Sequence, residues 1–120
     1  PLDHGFDTWF GLPYSNDNSK YHPVLADSMP PLPLYRDREV IELDPDQRQF
    51  TKRFTQEAIS FIETSKDKPF FCYIPHVMPH VPIFASQEFQ GKTGKGLYAD
   101  VIAELDWSIG QIVDCLNRNK

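Results

Sequence analysis

The chain has 120 residues, 40% of them apolar and 13% aromatic, the composition of a globular segment with room for one modest core. Its net charge of −5 gives no electrostatic basis for holding nucleic acid or an anionic membrane, so any bound anion must be met by local groups. No apolar run approaches the roughly 20 residues of a membrane span, and "PLDHGFDTWFG" at the start has neither a basic segment nor an apolar signal core.

Residues 1–33 carry Gly5, Gly11, Pro13, Pro23, Pro30 and Pro31 without a sustained period, which predicts ordered loop. Phe6, Trp9, Phe10, Leu12 and Tyr14 give that loop more apolar area than a solvated linker carries. "LPLYRDREVIEL" (32–43) places two short β-favouring runs around Arg36-Asp37-Arg38 and predicts a small hairpin. A helix over 46–65 follows, with Asp44 or Asp46 as N-cap and Phe50, Phe54, Ala58, Phe61 and Ile62 at helical spacing. "DKPFFCYIP" is a short, almost wholly apolar run, the pattern of a strand covered on both faces. From Gly96, Tyr98, Val101, Ile102, Leu105, Ile109, Ile112, Val113 and Leu116 keep helical period, with Asp100, Glu104, Gln111 and Asp114 largely on other faces. The whole reads as an α/β segment, taken as one incomplete unit over 1–120, because a buried strand and a long final helix call for more sheet than the chain supplies.

Few patterns point to chemistry on spacing alone. Cys72 and Cys115 lie in apolar segments and read as free thiols. "GKTGKG" (91–96) lacks the first glycine of a phosphate-binding loop and reads as a turn before the last helix. His76 and His80 are four apart in "PFFCYIPHVMPHVPIF" (69–84), but Pro79 and Pro82 prevent the helix that would bring both imidazoles to one metal. No metal ligand is assigned. A loop leaving the carboxyl edge of a strand is nevertheless where α/β folds gather ligands.

Three blocks, "HGFDTWFGLPYSND" (4–17), "PFFCYIPHVMPHVPIF" (69–84) and "GKGLYADVIAELDWSIGQIV" (94–113), resemble consecutive blocks of the formylglycine-dependent sulfatases, in the branch of arylsulfatase A and N-acetylgalactosamine-6-sulfatase. The resemblance implies an alkaline-phosphatase-like α/β domain, of which this is an internal segment: N-terminal loop region, hairpin, helix, buried strand, loop and long helix. It implies a parent that hydrolyses sulfate esters with a formylglycine nucleophile and calcium. The paired aspartates, the C-x-P-S-R nucleophile motif, the Lys and His of the "GKWH" block and the Asp-Asn ligands have no match, so the isolated chain is expected to be inactive.

Residue by residue, the resemblance carries over His80 as the histidine that contacts the sulfate and assists the leaving oxygen, and Ser15 of "GLPYSND" as a substrate-binding residue of the pocket. Asn16, Asp17 and His22 are candidates for shaping that pocket by adjacency alone, and His76 is expected to hold the loop. The implied partner is a sulfated small molecule or carbohydrate, and the implied location is periplasmic or secreted. Two other readings stand beside it: a non-catalytic module that self-associates through exposed sheet edges, and a phosphate or phosphonate hydrolase of the same superfamily.

Overall fold

The computed structural model describes residues 1–119. Its elements are strands β1 (Phe10–Gly11), β2 (Pro33–Arg36) and β3 (Glu39–Leu43) and helices α1 (Phe50–Ser65) and α2 (Leu97–Arg118), with single 3-10 turns at Leu2–His4, Ala26–Ser28 and Gln47–Gln49. This is the mixed α/β content expected. The residues fall into two compact units, Pro1–Asp46 with His80–Pro82, and Gln47–Pro79 with Ile83–Lys120.

The first unit is built on a three-stranded antiparallel sheet in the order β1-β2-β3. Arg36 pairs with Glu39, so the predicted hairpin closes through Asp37 and Arg38, with a bulge after Leu34. Two aspartates in left-handed backbone fasten its ends, Asp37 at φ 52 and Asp44 at φ 50, a conformation that aspartate tolerates better than most residues. Asp37 donates its N–H to the Trp9 carbonyl at 2.7 Å and accepts from the Trp9 N–H through Oδ1 at 2.9 Å. Asp44 makes the same pair of bonds with Leu32, at 2.7 and 2.9 Å. The first of these brings β1 to the hairpin, where Trp9 stacks on Tyr35 at 5.3 Å. The β1 strand is too short to show a period, which is why the sequence gives only a loop there.

In the second unit α1 packs on α2. Helix α1 buries Thr51, Thr55, Ala58 and Ile62, spaced for one face. It begins at Phe50 after the 3-10 turn, with Gln49 at its N-cap and no side-chain cap bond, so neither aspartate expected as N-cap holds that place. Asp44 is committed to the base of the hairpin instead.

Helix α2 corrects a second expectation. It buries Asp100, Val101, Glu104, Ser108 and Cys115, while Tyr98, Ile102, Ile109, Val113 and Leu116 are exposed. The inward face is largely polar because other segments supply partners to Asp100, Glu104 and Ser108, with only the Glu104 Oε1 left buried and unpaired among the described residues of this face. Asp100 accepts from the N–H of Gly91, the N–H of Thr93 and the Thr93 hydroxyl, which organises the "GKTGKG" turn. Glu104 accepts from the Ser86 N–H at 2.8 Å. Around this face Met78, Ala85, Phe89 and Val101 form the buried apolar cluster, with Trp107 and Leu105 against it.

The run predicted as a buried strand is not one. Residues 69–77 have no regular secondary structure and lie outside any ladder, with Phe71 74% and Tyr73 67% exposed and Cys72 and Ile74 half-buried. Two covered faces require neighbouring strands on both sides, and no described residue offers one.

Candidate functional site

The two residues expected at a site, Ser15 and His80, fall in the same unit although 64 positions separate them. The segment 15–22 is a series of interlocked turns. Asn18 donates its N–H to Ser15 at 3.1 Å, Ser19 to Asp17 at 2.8 Å and His22 to Ser19 at 2.9 Å, all onto backbone carbonyls. The Ser19 hydroxyl adds a bond to the Asn16 carbonyl at 2.8 Å. Asn16 and Ser19 are each 1% exposed, so the interior of the turn is closed. The link to the histidine loop is the Asn16 amide, which donates to the Pro82 carbonyl at 3.2 Å.

On that support the polar groups have fixed polarity. His80 places Nδ1 2.6 Å from the Val81 carbonyl. A carbonyl only accepts, so Nδ1 carries hydrogen, and in the neutral ring Nε2 keeps the lone pair. The His80 residue is exposed, leaving that nitrogen free to meet a ligand. His22 has the opposite arrangement. Its Nδ1 accepts from the N–H of Val24 at 3.2 Å and of Leu25 at 2.9 Å, so its hydrogen lies on Nε2.

Ser15 is exposed, and its hydroxyl is the chief influence that holds the Asp17 carboxyl below the usual carboxylate range. The Asp17 backbone N–H, then nearby charge on His80 and on His22, lower it further. Asp17 Oδ1 is shut off from solvent without a hydrogen-bond partner. Adjacency in sequence suggests Asp17 only weakly; the sharper signal is the Ser-x-Asp spacing, which lets a serine hydroxyl reach a carboxylate two residues on.

His76 lies in the other unit, in a structural network. Thr55 donates its hydroxyl to the Thr51 carbonyl at 2.6 Å, so its oxygen accepts from Ser108, also at 2.6 Å. The Ser108 oxygen then accepts from His76 Nε2 at 3.3 Å. The chain of donors assigns the hydrogen to Nε2 and leaves Nδ1 buried without a partner. Burial holds the His76 imidazole below its ordinary value of 6.5.

Among the described residues, no group of three or more His, Cys, Asp or Glu side chains is placed to hold a metal ion, so these residues do not fit a calcium site. Cys72 and Cys115 are both free, and burial pushes the Cys72 thiol up, away from the thiolate a nucleophile needs. A cavity of about 350 Å³ in the second unit is lined by Gln49, Lys52, Ser86, Gln87 and Glu88 and includes neither Ser15 nor His80. No helix among the described residues is long and apolar enough to cross a membrane.

Comparison with known proteins follows the same residues. A family model described as Sulfatase matches residues 2–120. The chain is similar to N-acetylgalactosamine-6-sulfatase of Mus musculus, with 38% identity over 98% of this chain and 24% of the relative. It is also similar to human steryl-sulfatase, with 34% identity over 71% of this chain and 15% of the relative. A third relative is the arylsulfatase of Hemicentrotus pulcherrimus, with 31% identity over 99% of this chain and 22% of the relative. The chain thus spans about a quarter of the N-acetylgalactosamine-6-sulfatase it matches. With the match running from residue 2 to the last residue, this chain belongs to the Sulfatase family and carries a partial segment of its α/β domain.

Proposed function

We propose that the full-length protein carrying this segment is a sulfuric ester hydrolase, and that His80 is the residue of this segment that meets the sulfate. The observation that carries the reading is the His80 ring: Nδ1 is tied to the Val81 carbonyl and the exposed Nε2 is free to exchange a proton with an ester oxygen. Named relatives acting on an amino-sugar sulfate and on a steryl sulfate support sulfate esters as the substrate class and leave the alcohol portion open.

Charged His80 donates to a sulfate oxygen or to the departing alkoxide; neutral His80 takes the proton back. The Asn16 bond to Pro82 keeps the His80 loop on the turn that carries Ser15, so the ring need not be ordered when substrate arrives. The formylglycine nucleophile and calcium implied by the sequence resemblance have no counterpart among the described residues, and no step is assigned to them here.

The test is sulfate release from 4-nitrophenyl sulfate and from a sulfated monosaccharide. The full-length protein is expected to hydrolyse at least one of them, and the isolated 120-residue chain to give background. Turnover of 4-nitrophenyl phosphate at an equal or higher rate, with neither sulfate ester cleaved, would overturn the reading in favour of a phosphate hydrolase.

A further inference from the structure

Packing alone does not account for a histidine at position 76. The ring is half-buried with Nδ1 shut off from solvent and unpartnered, a cost that an apolar side chain of similar size would not carry there. What the histidine adds is a directional bond. Its Nε2–H meets the Ser108 oxygen at 3.3 Å, and that hydroxyl is fixed in turn by Thr55 at 2.6 Å, whose own proton goes to the Thr51 carbonyl. Ser108 is fully buried, so the anchor sits inside the packed pair of α1 and α2.

The anchor lies at one foot of the turn that carries His80. Met78 is 2% exposed, in the apolar cluster that holds Val101, and Val101 precedes Ser108 by seven residues, about two turns of α2. The run 76–78 is thus attached to one face of that helix at two levels. On the returning side Ile83 and Phe84 pack against the same cluster, and the Phe84 N–H donates to Met78 Sδ at 3.4 Å. Residues 79–82 form a short excursion with both feet held, and His80 stands in its exposed part. Apolar contact at Val77, Met78, Ile83 and Phe84 keeps the feet buried but does not fix their register, because burial is non-directional and methionine is flexible. The bond from His76 to Ser108 supplies the direction on the entering side.

Building on the sulfatase reading, we propose that His76 is a positioning residue: its bond to Ser108 sets the register of the loop and so the place of the His80 imidazole at the sulfate ester. His76 itself touches no substrate. A displacement of about 1 Å at a reacting group costs up to about 100-fold in rate, so loss of this bond shows in turnover beyond what it takes from stability.

The experiment uses the full-length protein with H76L, which keeps apolar bulk without the bond, and H76Q, whose amide N–H reaches the place of Nε2–H, each alone and combined with H80A. Sulfate release from 4-nitrophenyl sulfate and from a sulfated monosaccharide gives kcat and KM, and amide exchange over 77–84 reads the loop directly. H76L is expected to lower kcat by about 10- to 100-fold with KM within about threefold of wild type, and H76Q to recover most of that loss. Exchange at Phe84 should rise in H76L and return toward wild type in H76Q. In the H80A background H76L should cost less than about threefold, because a residue that acts through His80 has nothing left to place. If H76L fails to fold, S108A removes the same bond from its other end and enters the same cycle with H80A.

An equal loss of kcat with and without His80 would overturn the assignment, since a general loss of folding lowers both alike. So would a kcat for H76L within about threefold of wild type. If the wild type cleaves neither ester, the hydrolase reading fails on its own, and the exchange comparison still decides the anchor: faster exchange over 77–84 in H76L than in H76Q upholds it, and equal exchange overturns it.

Discussion

Ser108 is fully buried and stands between the Thr55 hydroxyl, which also bonds the Thr51 carbonyl, and the His76 Nε2–H. Ser108→Ala therefore leaves the His76 Nε2–H unpaired and strips Thr55 of one of its two bonds, and is expected to lower stability by about 1–3 kcal/mol, measured from the denaturant midpoint. His76 gives the same network a pH dependence. Burial depresses its pKa, so the unfolded chain binds this proton more readily than the folded one. The corresponding stability is present above the ordinary value of 6.5 and falls as pH drops below it toward the folded value. Thermal midpoints of wild type and His76→Gln taken at neutral pH and at mildly acid pH should converge as pH falls; parallel curves would count against the neutral, Nε2–H imidazole. At the hairpin base, Asp44→Ala removes the acceptor for the Leu32 N–H and puts a less tolerant side chain at φ 50, whereas Asp44→Asn retains both features. The alanine variant should lose about 1–2 kcal/mol and the asparagine variant less than half of that.

At the scale of elements, the hairpin and both helices are legible because their signals are local: Asp-Arg between two β-favouring runs, and apolar spacing of three and four. The inward face of α2 is not. A periodicity argument assigns the apolar stripe to the core, but here Asp100 and Glu104 turn inward because loop 86–93 supplies their donors, and that loop precedes the helix without any pattern that announces the bonds. The Asp100 carboxyl is held below the usual range chiefly by the Thr93 hydroxyl and then by the N–H groups of Thr93 and Gly91. A depressed carboxyl contributes stability above its ordinary value of 3.8 that is lost as pH falls through the folded value. Asp100→Ala should therefore raise amide exchange across 91–95 at neutral pH and change it little in strong acid. The run 69–77 was misread as a buried strand, since composition reports that Phe71 and Tyr73 are apolar but not whether a neighbouring strand exists to cover them.

At the scale of the whole molecule, the chain spans about a quarter of the N-acetylgalactosamine-6-sulfatase to which it is similar. Sequence spacing alone reached only a rigid loop with two histidines. Family resemblance separated His80 from His76, and the two rings do lie in different settings, one exposed beside the Ser15 turn and the other half-buried against Ser108.

The central claim is that His80 serves the reaction, and the most direct measurement is kcat for sulfate ester hydrolysis by the full-length His80→Ala variant beside wild type. A proton-transferring histidine predicts a fall of about 10²–10⁴-fold in kcat with the thermal midpoint unchanged. Retention of kcat within about threefold of wild type, in a variant equally stable, would contradict it.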